Sequence, residues 1–119
     1  MDYDWYVASI DAIAQAADEL RAALDSTLAT LAPAREERLA GVGLVDIVSG
    51  LVARGGRTTR LAPTVAFREF ELAVTAYRAR AIQALVDDEH LTFTEVAKLT
   101  GVSRQMIARL YSSSVESNA

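Results

Sequence analysis

The stretch from Phe93 to Tyr111, FTEVAKLTGVSRQMIARLY, constrains the fold more than any other part of the chain, because its local signals all agree. Thr92 and Glu95 stand three residues apart, the spacing at which a hydroxyl and a carboxylate cap each other's backbone N–H groups and start a helix. Gly101 is placed to take the left-handed conformation that stops this helix in a tight turn. Ser103 then caps a second helix through its hydroxyl. The apolar residues fall where such a pair must be sealed. Val96 and Ala97 lie on the inward face of the first helix, Val102 in the turn, and Ile107 and Leu110 on the inner face of the second. Ala97 is small, so the helices can approach closely. Two helices held in this fixed relation form a unit whose second member can enter a DNA major groove.

The segment resembles the helix-turn-helix of bacterial regulators of the lac repressor and catabolite activator families. The run Gly101-Val102-Ser103-Arg104-Gln105, followed by Ile107, Arg109 and Leu110, is close to the GVSRxTVxRxL pattern common in them. The resemblance covers roughly 20 of the 119 residues, so it implies a module and not a whole protein. In those families the second, third and seventh residues of the recognition helix, counted from its capping serine, often reach base edges. The resemblance carries these positions to Arg104, Gln105 and Arg109. Met106 departs from the small or β-branched residue usual at its position.

The chemistry of these side chains suits the same task. Arg104 offers a planar fork of donors to O6 and N7 of guanine, and Gln105 can pair with N6 and N7 of adenine. Arg109 lies one to two helical turns further along, close to the same face. Thr94 and Ser103 sit at helix N-termini, where hydroxyls and backbone amides can hold phosphates. The expected DNA-binding set is therefore Thr94, Ser103, Arg104, Gln105, Met106 and Arg109. An ordinary bundle with solvated arginines is the bland alternative.

The net charge of −4 fits a DNA binder only once it is divided along the chain. Residues 1–53 carry 3 basic and 9 acidic side chains, a balance of −6. Residues 54–119 carry 9 basic and 7 acidic ones, a balance of +2. This polarity favours docking through the C-terminal half, with affinity drawn from two copies acting together. The expected division is an N-terminal helical oligomerisation or partner-binding region, 1–54, and a C-terminal helix-turn-helix domain, 62–113.

The expected fold class is all-α: a small helical bundle with a C-terminal helix-turn-helix and a long N-terminal helix. From Asp4 to Leu31, the positions Tyr6, Ile10, Ile13, Ala17, Leu20, Leu24 and Leu31 follow alternating steps of three and four, with Thr27 the one polar interruption. A helix of this length spans about 40 Å. It serves either as an intrachain core helix or as a contact between two subunits. Pro33 is expected to end it. Leu44, Ile47, Val48 and Leu51 have helical spacing, but Gly41, Gly43 and Gly50 weaken the pattern, and a strand through Leu44–Val48 is the alternative. Gly55 and Gly56 should break the structure, leaving Arg54, Arg57 and Arg60 in a basic turn that is either solvated or set against phosphate. After Pro63, Phe67, Phe70, Val74, Tyr77, Ala81 and Leu85 mark one face of a helix from Thr64 to Asp88, with Arg78 and Arg80 off that face and free to meet a DNA backbone. The polar tail from Ser112 is expected to fray.

Much chemistry is excluded or unsupported. With no cysteine there are no disulfides, zinc–thiolate sites or thiol catalysis. The Glu36-Glu37 and Asp87-Asp88-Glu89 clusters lack further ligands, His90 is a lone loop histidine, and Gly55-Gly56 lacks the spacing and the lysine of a phosphate loop. No nucleophile–base pair stands out, so a non-enzyme without cofactor is expected. No apolar run reaches membrane-span length, and MDYDWY lacks the basic region of a signal peptide, so a cytoplasmic protein without membrane contact is expected. Eleven arginines against one lysine, with abundant alanine, point to a GC-rich genome. The leading expectation is a transcriptional regulator that binds double-stranded DNA as a homodimer on an inverted repeat. The alternatives are an antitoxin-like module whose acidic N-terminal half holds a protein partner, and an accessory factor of DNA recombination.

Overall fold

The computed structural model describes residues 4–117, apart from the side chains of residues 56–61 and 117. These residues form helices α1 (Trp5–Leu39), α2 (Leu44–Ala53), α3 (Gly56–Asp87), α4 (Phe93–Thr100) and α5 (Arg104–Ser117), and no strand occurs among them. The all-α class therefore holds, and the strand alternative through Leu44–Val48 gives way to α2. Two compact units emerge: Met1–Ala12 together with Leu72–Ala119, and Ile13–Glu71.

The start of α1 follows from Asp4, whose Oδ1 accepts the N–H groups of Tyr6 and Val7 at 2.7 and 3.3 Å. Its end does not lie where proline was expected to put it. The helix runs on through Pro33 to Leu39. Pro33 removes the N–H that would bond the carbonyl of Ala29, but both residues are exposed, so water can supply the missing bond. What stops the helix is Gly41 at φ 91°, with Val42 N–H bonded to Glu37 O at 2.9 Å and Gly41 N–H to Arg38 O at 3.1 Å, the paired bonds of a Schellman end.

Within Ile13–Glu71 the deepest residues are Ala16 and Ile47. The expected seam of α1 is partly buried at Ile13, Ala17 and Leu20, but beyond Leu20 the inward positions are Ala23, Thr27, Thr30 and Ala34. Leu24 and Leu31 are each 47% exposed and Leu28 66%, flanking that face. Small side chains let helix backbones approach closely, and the threonine hydroxyls are satisfied within the helix, on Ala23 O at 2.9 Å and Ser26 O at 3.0 Å. Glu37 of α1 meets Arg54, the residue that closes α2, at 3.9 Å. Gly55, at φ 82°, makes the turn into α3. This helix begins at Gly56, eight positions before the expected Thr64, and continues through Pro63. The expected basic turn is thus replaced by a helix end and a helix start, and the side chains of Arg57 and Arg60 lie outside the described residues.

The second unit is built on the C-terminal part of α3. Its deepest residues there are Ala79 and Ile82, while Phe70, Val74, Tyr77, Ala81 and Leu85 are only half-buried and Phe67, in the other unit, is exposed. The expected stripe contributes Tyr77 and Leu85 to the packing, and this part of α3 is covered on two sides. On one, the Tyr6 ring meets Tyr77 edge-on at 5.5 Å with the two hydroxyls 3.0 Å apart, and the Arg80 guanidinium lies 4.4 Å from the Trp5 ring centre. On the other, Ile82 packs with Val96 of α4 and Ile107 of α5, surrounded by Leu85, Val86, Phe93, Leu110 and Tyr111. α5 is also longer than expected. The supposed fraying tail is helical to Ser117, and buried Ser114 donates its hydroxyl to Gln83 Oε1 at 2.7 Å.

Ile107 is fully buried at the centre of that core. Ile107→Ala should lower the stability of the chain by about 2–5 kcal/mol, read from urea unfolding. A loss below about 1 kcal/mol would mean that the α4–α5 core does not limit stability.

Candidate nucleic-acid interface

The site is assembled by capping. Thr92 Oγ1 accepts the N–H of Glu95 at 3.1 Å, and Glu95 Oε1 accepts the N–H of Thr92 at 3.1 Å, the reciprocal pair the sequence predicts. At the other end Gly101 stands at φ 75°, ψ 11°, its N–H bonded to Ala97 O at 2.9 Å. Ser103 Oγ accepts the N–H of Met106 at 3.2 Å and so caps α5. One fastening had no counterpart in the sequence analysis. Thr100 donates its hydroxyl to Val96 O at 2.8 Å and accepts the Val102 N–H at 3.3 Å, tying the end of α4 to the connection that follows.

The helices are then locked together. Val96 and Ile107 are 0% exposed, and Val102 and Leu110 pack around them. The Phe93 and Tyr111 rings lie 5.4 Å apart, one from the first turn of α4 and one from α5. Tyr111 donates to Asp87 Oδ1 at 2.8 Å, which ties α5 to the end of α3. That hydrogen bond, with partial desolvation and the neighbouring carboxylate charge, raises the Tyr111 pKa above its usual 10.0. The Tyr77 hydroxyl is raised in the same direction, first of all by its bond to Tyr6.

The sequence-predicted residues Thr94, Ser103, Arg104, Gln105, Met106 and Arg109 are all exposed. Gln105 and Arg109 stand one turn apart on α5, about 40° apart around its axis, and Arg104 lies about 100° from Gln105 on the flank away from Arg109. The side chains of these three make no ion pair or hydrogen bond with the described residues. The N–H groups of Arg104 and Gln105, like those of Phe93 and Thr94, belong to the first helical turn and have no partner within it. Met106, 37% exposed, stands about 60° from Arg109 and about 40° from Leu110 around the helix axis, between the outward side chains and the inner face. Arg80 is occupied by Trp5, whereas Arg78 is exposed and unpaired among the described residues. Among those residues no group of three His, Asp or Glu side chains could hold a metal ion, and no helix is long and apolar enough to cross a membrane. No protein-family model, no curated protein and no solved structure matches the chain.

Two outcomes test how the turn and its anchor work. Nothing lies within 4 Å of where a Gly101 Cβ would stand, so any penalty there comes from φ alone. Gly101→Ala should cost about 1–2 kcal/mol in urea unfolding and Gly101→Asn less, because asparagine tolerates the left-handed region; equal stability of all three proteins would refute a conformational role. For Tyr111 the fold favours the protonated phenol, so its contribution is complete below pH 10 and is lost as pH rises through the higher folded value. Tyr111→Phe should therefore melt at a lower temperature than the parent at neutral pH, with the gap closing in strong alkali. A gap that stays constant across that range would separate the loss from the hydrogen bond.

Proposed function

We propose that the chain is a sequence-specific DNA-binding transcriptional regulator, with α4 and α5 as a helix-turn-helix and the segment Ser103–Tyr111 as its recognition element. The observation that carries this reading is the outer side of α5. Arg104, Gln105 and Arg109 stand exposed and unpaired on a helix whose inner side is sealed at Ile107 and whose N-terminus is fixed by Ser103. A recognition helix needs this combination, since base edges are read by side chains that are free to bond and rigidly presented. Thr94 and Ser103 would meet phosphates beside the groove.

A homodimer on an inverted repeat, its half-sites about one helical turn apart or a multiple of that, would offset the modest +2 balance of residues 54–119. The subunit contact, or the alternative antitoxin-like contact with another protein, belongs to the N-terminal region. A specific feature favours some such partner. Among the described residues of Ile13–Glu71 only Ala16 and Ile47 are buried apolar groups, while Leu24, Leu28, Leu31, Leu44 and Val45 are all more than two-fifths exposed.

The test is fluorescence anisotropy with DNA from upstream of the protein's own gene, against scrambled DNA, across a salt series. Salt-sensitive binding that prefers the upstream DNA is expected. Arg104→Ala and Gln105→Ala should each cost about 1–3 kcal/mol on the preferred site. Gln105→Ala should leave non-specific binding and the salt slope unchanged, because it removes no charge. Unaltered sequence preference in both variants would sink the docking register.

A further inference from the structure

We propose that the unit formed by residues 1–12 and 72–119 carries a binding groove for an elongated apolar molecule with an anionic end group, such as a carboxylate or sulfonate. The groove has a volume of about 830 Å³, within the range of about 300–1,000 Å³ common for small-molecule sites. Trp5 and Tyr77 form part of one wall, Met106 and Leu110 part of the other. Between them α3 contributes Ala81 and Ala84, and these short side chains leave the space open. The lining is mostly apolar, with Thr75, Thr100, Arg78 and Glu89 as its polar members. The Tyr6 and Tyr77 hydroxyls are turned on each other at 3.0 Å, so the polar tips of the aromatic wall are already satisfied.

The charges along the groove assign the end group. Arg80 is taken up by the Trp5 ring, but Arg78 lines the groove with no ion pair or hydrogen bond among the described residues. A guanidinium beside an apolar channel is a strong partner for a carboxylate or sulfonate, because its planar donors match two oxygens at once. Glu89 lines the groove from beyond the end of α3. Arg78 and Asp87 are separated by roughly 13 Å of helix at about 1.5 Å per residue, so Glu89 stands well away from the guanidinium. A negative end group is drawn to Arg78 and repelled at Glu89, which selects one orientation for the apolar body. A cationic amphiphile would need the reverse orientation. The unpaired arginine beside the aromatic wall favours the anion.

The groove also accounts for Met106, the residue that departs from the helix-turn-helix pattern. Its flexible thioether forms part of a wall that can adapt to a ligand. The site does not rest on the DNA-binding reading, and its test uses no DNA. Met1 and Met106 are the two methionines of the chain, so methyl-labelled methionine gives two signals, and loss of one in Met106→Leu assigns the signal of the groove. The full chain, labelled in this way, is titrated with decanoate, with decanol and decylamine as comparators. A saturable shift of the Met106 signal is expected for decanoate, with the comparators at least tenfold weaker. Arg78→Gln should weaken decanoate about tenfold while leaving the helical circular dichroism unchanged. Ala84→Leu, which fills the floor, should abolish the shift. A stationary Met106 signal overturns the proposal, as does equal binding of the three compounds. Unchanged decanoate affinity in Arg78→Gln overturns the assignment of the anion, and movement of the Met106 signal that does not saturate overturns the site in favour of plain surface adsorption.

Discussion

Val96 and Ile107 are withdrawn completely from water, one from each side of the turn at Gly101, and both rest on Ile82 of α3. Burial of each such side chain stabilises the fold by about 1.5–3 kcal/mol, and a β-branched pair in contact leaves little freedom in the angle between their helices. The capping bonds at Thr92 and Ser103 set where α4 and α5 begin, and Thr100 ties the connection between them. None of these bonds alone would orient the helices. The apolar contact does that, and the placement of every outward side chain of α5 depends on it.

Polar interactions then divide into those that fasten and those that remain available. Tyr111 on Asp87, Ser114 on Gln83 and Arg80 over Trp5 tie α5 or α1 to α3. In the other unit the Arg21–Asp18 and Arg35–Glu36 ion pairs are exposed and close in sequence, so their contribution is small, while Glu37–Arg54 links α1 to the end of α2 at the longer distance of 3.9 Å. Against that background the free guanidinium groups of Arg78, Arg104 and Arg109 stand out. In a chain with eleven arginines, having three on one compact unit without a partner among the described residues is a chemical resource that the fold itself does not consume.

The parts of the structure legible in the sequence are those governed by short-range rules. The capping box needs only Thr92 and Glu95, the turn needs only a glycine at position 101, and the helical spacing of Val96, Ile107 and Leu110 marks the sealed face. Helix ends governed by solvent were misjudged. Pro33 costs a hydrogen bond, but on an exposed side water offsets that loss, so no local rule could forbid the helix from continuing. The run Ser112-Ser113-Ser114 has no apolar period, and its helical state depends in part on Gln83, 31 residues away. The inward turn of Ala23 and Thr27 in place of Leu24 depends on neighbours whose approach the sequence does not reveal. For the candidate interface, residue types and spacing gave the outward set, while the place of Met106 in a groove shared with Trp5 and Tyr77 required the fold to be seen.

The discontinuous make-up of one unit has a consequence for how the protein comes into being. Residues 13–71 are contiguous, so that unit is complete in the chain before residues 72–119 are made. The other joins residues 1–12 to 72–119, and Tyr6 meets a partner 71 positions later. At about 5–20 residues per second, the ribosome needs roughly 4–14 s to pass from Tyr6 to Tyr77. Through this interval Trp5 and Tyr6 wait without Arg80 and Tyr77, next to Val7 and Ile10, which stay more than two-fifths exposed even in the finished fold. A chaperone that takes hold of these aromatic side chains early therefore has to keep them until Tyr77 and Arg80 have emerged.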